Sequence, residues 1–370
     1  MVSAKPIGEL PLLDMLLDQE STLSSPSQSA PPKGGAFSGH GKIMARQWAQ
    51  AISEVPGKSS TAELWDVFPR FVFGKQSGGA KIERRLQYRK KRYRLVLTPA
   101  VVDNGTKQGR ILYPGKRERI VEDVLRKFAS EGDGLEFRLT TGSDGTEYHE
   151  IGVTFGLFQL YKELARTNHS HTYKEIKEAL AVLTQCQLGV FLDYGNQKEE
   201  LIWQRPYIEI THGKTSENWE GKGKKTQLTI YFSRFVTESV LRKSWRRYNY
   251  ELGMSLKNDL SLWLLKRLSH NFTQASPLGG NNVYHISYKA IVDGSGIRSN
   301  YTYASQVHHK RIAPALNELV VKGVLEANIN DNGDEITPAW QFFGDAYELR
   351  VSINFCNEMH KSNKIAKGSQ

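Results

Sequence analysis

Residues 154–186 read TFGLFQLYKELARTNHSHTYKEIKEALAVLTQC. Leu157, Leu160, Tyr161 and Leu164 fall at i, i+3, i+4 and i+7, which puts one apolar stripe along a helix that Thr154 is placed to cap. Thr167-Asn168-His169-Ser170 is a short polar turn, and near Thr172 the stripe resumes with Ile176, Ala179, Leu180 and Leu183. Tyr173, Lys174, Lys177 and Glu178 are left on the outer face. Two such helices joined by about four residues predict a helix-turn-helix. Strand signals follow at 188–194, a Gly195-Asn196 turn, 201–210 and, after a Gly/Lys-rich loop, 227–232. A hairpin behind a helix-turn-helix is the winged-helix pattern.

Upstream, Ile120, Val121, Val124, Leu125 and Phe128 predict a helix over 115–132, stopped by Gly132 and Gly134 and followed by a strand at 135–140. Downstream, Ser233 can cap a helix through Leu241 that runs into Arg242-Lys243-Ser244-Trp245-Arg246-Arg247, where the first domain is expected to end. The order then recurs. A helix over 256–272 carries Leu260, Trp263, Leu264 and Leu268, a strand covers 283–287, and a short helix covers 288–292. Gly294-Ser295-Gly296 breaks it, and a long helix over 300–322 shows Ile312, Leu316, Leu319 and Val320. Pro314 should kink that helix, since proline deletes a backbone donor and crowds the preceding turn. Gly323 ends it, and strands at 324–329 and 347–355 around a turn at 331–333 supply a second wing. The expected fold is therefore α+β, two winged-helix domains in tandem.

The 370 residues carry 39% apolar and 24% charged side chains with 16 Tyr, 15 Phe and 7 Trp, which is too apolar and aromatic for a wholly disordered chain. No apolar run approaches the ~20 residues needed to cross a bilayer. No secretory leader is visible, and Cys186 and Cys356 alone cannot build a disulfide framework or a four-cysteine zinc site, which fits a reducing cytoplasm. The net charge of +11 favours a polyanionic partner. It is unevenly placed. Residues 1–80 hold seven basic and seven acidic side chains, whereas 81–94, KIERRLQYRKKRYR, hold eight basic and one acidic. As an arm, these could neutralise phosphates while Tyr88 and Tyr93 lie against sugars or bases; the alternative is a solvated charge run before a domain. Six Ser, three Pro and four Gly within 21–41 predict a flexible linker. Ahead of it, ELPLLDMLL at 9–17 is either a tethered partner-binding peptide or a turn packing on its own protein. The expected division is 1–80 as a disordered N-terminal region, 81–247 as basic arm and first winged helix, and 248–370 as the second.

The runs YKAIVDGSG (288–296), KRIAPALNEL (310–319) and KGVL (322–325) resemble those of plasmid replication initiators of the tandem winged-helix, TrfA-like type. The likeness extends more loosely over 154–230 and covers about residues 93–355. It implies sequence-specific binding of repeated duplex sites (iterons) at a plasmid origin, opening of an adjacent AT-rich segment that becomes single-stranded, and recruitment of the host helicase and sliding clamp. It also implies exchange between monomer and homodimer, and a nucleoid- or plasmid-associated cytoplasmic protein. Leu10, Leu12 and Leu13 resemble a clamp-binding peptide of the Gln-Leu-x-Leu-Phe kind, with Glu9 in place of Gln and Leu13 in place of Phe.

A recognition helix reads the major groove with its first two turns. In the second domain that selects Arg298, Ser299, Asn300, Tyr301, Tyr303, Gln306, His309 and Lys310; in the first, His171, Tyr173, Lys174 and Lys177. Backbone-contact candidates are Arg84, Arg85, Arg89, Lys90, Lys91, Arg92, Lys222, Lys224, Lys225, Arg242, Lys243, Arg246, Arg247 and Arg311. Two other readings compete. His169-Ser170-His171 with Tyr173 superficially matches the metal pair and nucleophile of rolling-circle nicking enzymes, but those histidines belong on a strand and these flank a turn. A winged-helix transcription regulator would use the same fold. No P-loop or dinucleotide fingerprint is present and His308-His309 diverge around a helix, so a non-enzymatic DNA-binding protein without metal or cofactor is expected.

Overall fold

The structure is a computed structural model that describes residues 37–54, 57–73, 79–102, 109–141, 147–196, 198–212, 227–271, 282–297, 307–330 and 332–364. Two hydrophobic cores organise it, one drawn from residues between Ala45 and Met254 and one from Tyr248 and residues 256–359. No helix among the described residues is long and apolar enough to cross a membrane.

The first half begins with α1 (Phe37–Ser53), β1 (Lys58–Ala62) and α2 (Glu63–Val67). These correct the expected boundary at residue 80. Trp48, Ile52, Trp65, Phe68 and Phe71 are all buried in the first core, and residues 37–41 of the expected linker are helical. The basic run 81–94 is also no arm. Apolar side chains at every second position (Ile82, Leu86; Tyr93, Leu95, Leu97) fold it into a hairpin, β2 (Ile82–Tyr88) and β3 (Lys91–Thr98), turned at Arg89 and Lys90 with φ of 45° and 65°. Tyr93 is buried edge-on against Phe68, so it cannot reach a base.

β4 (Ala100–Val102) and β5 (Arg110–Leu112) lead to α3 (Lys116–Glu131), β6 (Leu135–Thr141), β7 (Glu147–Gly156), α4 (Leu157–Arg166) and α5 (Tyr173–Gln185). Thr154 does not cap α4. It lies within β7, bonded to Thr229 Oγ1 at 2.6 Å and Glu136 Oε1 at 3.1 Å, and Gly156 occupies the cap. After α5 come β8 (Gln187–Gly195), β9 (Lys198–Pro206), β10 (Ile208–His212), β11 (Gln227–Phe232), α6 (Arg234–Leu241) and β12 (Trp245–Asn249). The expected strand 201–210 is two strands in two sheets, ordered β2-β3-β8-β9 and β10-β11-β7-β6. Residues 242–247 turn back after α6, and β12 pairs antiparallel with β1.

The second half runs α7 (Tyr250–Ser255), α8 (Asp259–His270), β13 (Val283–Ser287), α9 (Tyr288–Ser295), a π-helical turn at His308–Ile312, and α10 (Ala313–Val321). The distortion expected at Pro314 is this π turn. Proline offers no N–H to the Lys310 carbonyl, and Ala313 N–H reaches His308 O instead. β14 (Asn328–Ile329), β15 (Glu335–Thr337), β16 (Trp340–Phe342) and β17 (Ala346–Arg350) follow, with β13-β17-β16 as one sheet and β14-β15 as a separate pair. The strand expected over 347–355 stops at Arg350, and α11 (Ile353–Lys364) buries Phe355, Cys356 and Met359 in the second core.

The cores meet at an ionic seam. α3 turns Val121, Val124, Leu125 and Phe128 into the first core and presents Arg119, Glu122, Asp123 and Arg126 on its other side, where all four are buried. Arg126 Nη1 donates to Asp66 at 2.8 and 3.0 Å, and Arg70 Nη2 to Glu122 at 3.0 Å. Lys266, from α8, reaches Asp66 at 3.3 Å and Asp123 at 2.5 Å. Burial pushes the Asp66 carboxyl up, yet Arg126, Lys266 and Arg70 outweigh that and hold it well below the usual carboxylate range. Arg119 also pairs with Asp259.

Candidate nucleic-acid interface

The first helix-turn-helix is built as its spacing requires. Leu157, Leu160 and Leu164 of α4 and Ile176, Ala179, Leu180 and Leu183 of α5 are fully buried. Thr172 and Glu175 close a capping box: Glu175 N donates to Thr172 Oγ1 at 3.2 Å and Thr172 N to Glu175 Oε2 at 2.7 Å. Asn168 makes the turn at φ 60°, and His169 Nε2 is 2.9 Å from the Met254 carbonyl, which ties the turn to α7. His171 is half-buried. Burial lowers its pKa, with Glu175 opposing and Arg117 adding to the shift, which favours the neutral ring at pH 7. Tyr173 stacks on Tyr161 with ring centres 5.0 Å apart, Lys174 is exposed, and Lys177 is half-buried.

In the second half Lys310 is exposed and Arg311 half-buried, third and fourth in the π turn. They line a groove of about 380 Å³ with Lys257, Asn258, Asp259, Phe73, Leu260, Ser295 and Ile297. This groove is joined to α5 by the start of α3. Lys116 Nζ donates to the Lys257 carbonyl at 2.7 Å, and Arg117 Nη2 to Glu178 of α5 at 2.8 Å. The start of α3 thus joins α5, which carries Lys174 and Lys177, to the groove that holds Lys257, Lys310 and Arg311, a basic band that also contains Glu118, Glu178 and Asp259. Lys116 and Lys257 were missed in the sequence because each adjoins an apolar helical stripe and reads there only as a flank.

Other candidates fare differently. Arg247 is wholly buried and cannot touch DNA: its N–H groups donate to the carbonyls of Ser362 and Ala51, and its backbone N to Asn363 Oδ1 at 2.8 Å. Arg246 is half-buried, with Nη1 2.8 Å from the Trp245 carbonyl. Arg242 lies 3.4 Å from Glu238, while Lys243 is exposed. Arg84 is also structural, donating to the carbonyls of Pro69 and Phe71 beside Gly296. Arg85 and Arg92 stay exposed, 3.7 and 3.8 Å from Asp193, and Arg89, Lys90 and Lys91 form the hairpin tip. Lys222, Lys224 and Lys225 lie outside the described residues, between β10 and β11 rather than on the β8–β9 hairpin behind α5. Arg298, Ser299, Asn300, Tyr301, Tyr303 and Gln306 lie outside them too, as do Leu10, Leu12, Leu13 and the side chain of His309.

No protein-family model matches the chain, and no curated protein matches it. Among solved structures it is similar to a selenomethionine derivative of domains 2 and 3 of RctB, at 7% identity and a TM-score of 0.44 over 79% of this chain and 98% of that one. A second structure of RctB domains 2–3 matches at 6% identity and 0.41 over 80% and 99%. Likenesses this distant carry no argument, and the reading below rests on the chain's own residues.

Proposed function

We propose that this protein is a plasmid-type replication initiator that binds repeated duplex sites at an origin through two winged-helix units, as a binding protein and not a catalyst. In this reading α5 lies in one major groove and the segment beginning at Arg298 in another. The band through Lys116 and Lys257 neutralises the phosphates between them. The observation that supports it is this band, which joins α5 to the groove beside Lys310 and Arg311 through side chains from α3 and the α7–α8 junction. The initiator role, with opening of an AT-rich segment and recruitment of helicase and clamp to a plasmid in the cytoplasm, follows the likeness of 288–296, 310–319 and 322–325.

Gel-shift titration separates positioning from reading. Lys116→Ala with Lys257→Ala should weaken repeat and scrambled duplexes alike and reduce the salt slope by about 2. Arg298→Ala should cost roughly 1–3 kcal/mol on the repeat alone. Equal losses on both duplexes for Arg298→Ala overturn the base-reading assignment. Transformation of a replication-deficient plasmid carrying this gene and its flanking DNA tests initiation itself, and failure to replicate leaves only the regulator.

A further inference from the structure

Residues 323–349, which carry the β14–β15 hairpin and all of the β16–β17 hairpin but its final Arg350, contain Glu326, Asp331, Asp334, Glu335, Asp345 and Glu348 and no Lys, Arg or His; Arg350 lies 3.6 Å from Glu348. A wing laid on a duplex runs beside phosphates, so one whose net charge is negative is repelled from that position. Glu326, Asp334, Glu335 and Asp345 are exposed, and none of the four forms an ion pair among the described residues. Between them stand Ile329, Ile336 and Phe343, with 64, 67 and 57% of their surface open to water. Exposed apolar side chains set among carboxylates suit a partner surface that brings aliphatic stems with cationic heads.

The chain carries the complementary surface in its other half. The tip of the β2–β3 hairpin presents Arg89, Lys90, Lys91 and Arg92 in succession, with Arg85 behind them at 69% side-chain exposure. Arginine and lysine stems lie readily over Ile and Phe while their heads meet carboxylates. We propose that the acidic wing of one copy docks on the basic β2–β3 hairpin of a second copy, Asp334 and Glu335 facing Lys90 and Lys91, with the hairpin's aliphatic stems covering Ile329 and Ile336. The contact joins unlike surfaces and so runs from one half of one molecule to the other half of the next. It goes beyond the DNA reading and does not depend on it.

Sedimentation of the full chain without DNA tests this. Wild type should self-associate at ~50 mM salt and return to monomer at ~500 mM, because the contact is between exposed charges. Asp334→Lys with Glu335→Lys should remain monomeric at low salt. So should Lys90→Asp with Lys91→Glu, where Asp suits the left-handed φ at position 90. Mixing the two charge-reversed variants should restore association, since each wing then faces a hairpin of opposite sign. Circular dichroism melts confirm that each is folded. A wild type that stays monomeric at low salt, a reversed variant that self-associates undiminished, or a mixture that stays monomeric overturns the proposal. DNA binding measured on the same samples is a separate readout.

Discussion

The hairpin that follows α5 and the hairpin that follows α10 hold similar places in the order of elements and live in opposite surroundings. β8–β9 sits inside a four-stranded sheet, and its Asp193 and Glu199 answer arginines of the neighbouring basic hairpin: Arg94 Nη2 lies 2.6 Å from Glu199, and Arg85 and Arg92 lie near Asp193. β14–β15 forms a two-stranded sheet of its own, and among the described residues Asp334 and Glu335 form no ion pair, the Asp334 carboxylate accepting only from Asn330 Nδ2 at 3.0 Å. Order along the chain assigns an element its place, while its neighbours across the fold decide its chemistry.

The same contrast separates the two basic runs. Residues 89–92 end on a hairpin tip in water, whereas Arg247 lies between α1, β12 and α11 with no exposed surface. It also separates the two sides of α3, one apolar and one ionic, both buried.

The most severe way to break this arrangement is at the seam. Lys266→Met strands the carboxylate of Asp123 in a dry site, while Asp66 keeps Arg126, and should cost about 3–5 kcal/mol in urea unfolding. An undiminished midpoint would mean that the two halves are not held together there. Because the Asp66 carboxyl is depressed, its contribution is present above the ordinary Asp pKa of about 4 and is lost as pH falls below it. Arg126 and Arg70 still hold Asp66 in the variant, which should lose only the share of that acid sensitivity supplied by Lys266.

Arg247→Ala comes next, at about 2–3 kcal/mol for the buried bonds it removes, with the salt slope of DNA binding unchanged. A changed slope with full stability would return Arg247 to the DNA contacts. The smallest effect sharpens the comparison of the two helix starts. Thr172→Ala removes the capping box of α5 and should cost about 1 kcal/mol by thermal melting. α10, which starts in a π turn without a side-chain cap, offers no equivalent residue.

Periodicity and punctuation made the local elements legible. The stripes of α3, α5 and α8, the Gly195-Asn196 hairpin, and the break at Pro314 all depend on residues within a turn or two of each other. Thr154 misled because a capping residue and a strand residue with a hydroxyl look alike until the strand's length is known. Residues 37–73 misled because a core can recruit apolar side chains from across a Ser/Pro/Gly-rich stretch. The basic band was half legible. Lys174, Lys177, Lys310 and Arg311 follow from helix starts, but Lys116 and Lys257 join them only through contacts spanning 141 residues.

The sequence by itself determined the helices α3, α4, α5 and α8, the turn at 195–196, and how much positive charge the chain carries. Only the tertiary structure decided which charges face water. Arg126 and Lys266 are inside because Asp66, 60 and 200 residues away from them, arrives to pair with both. Lys90 is outside because nothing covers a hairpin tip. A side chain's charge is a property of the residue, whereas its burial depends on whatever distant element packs over it.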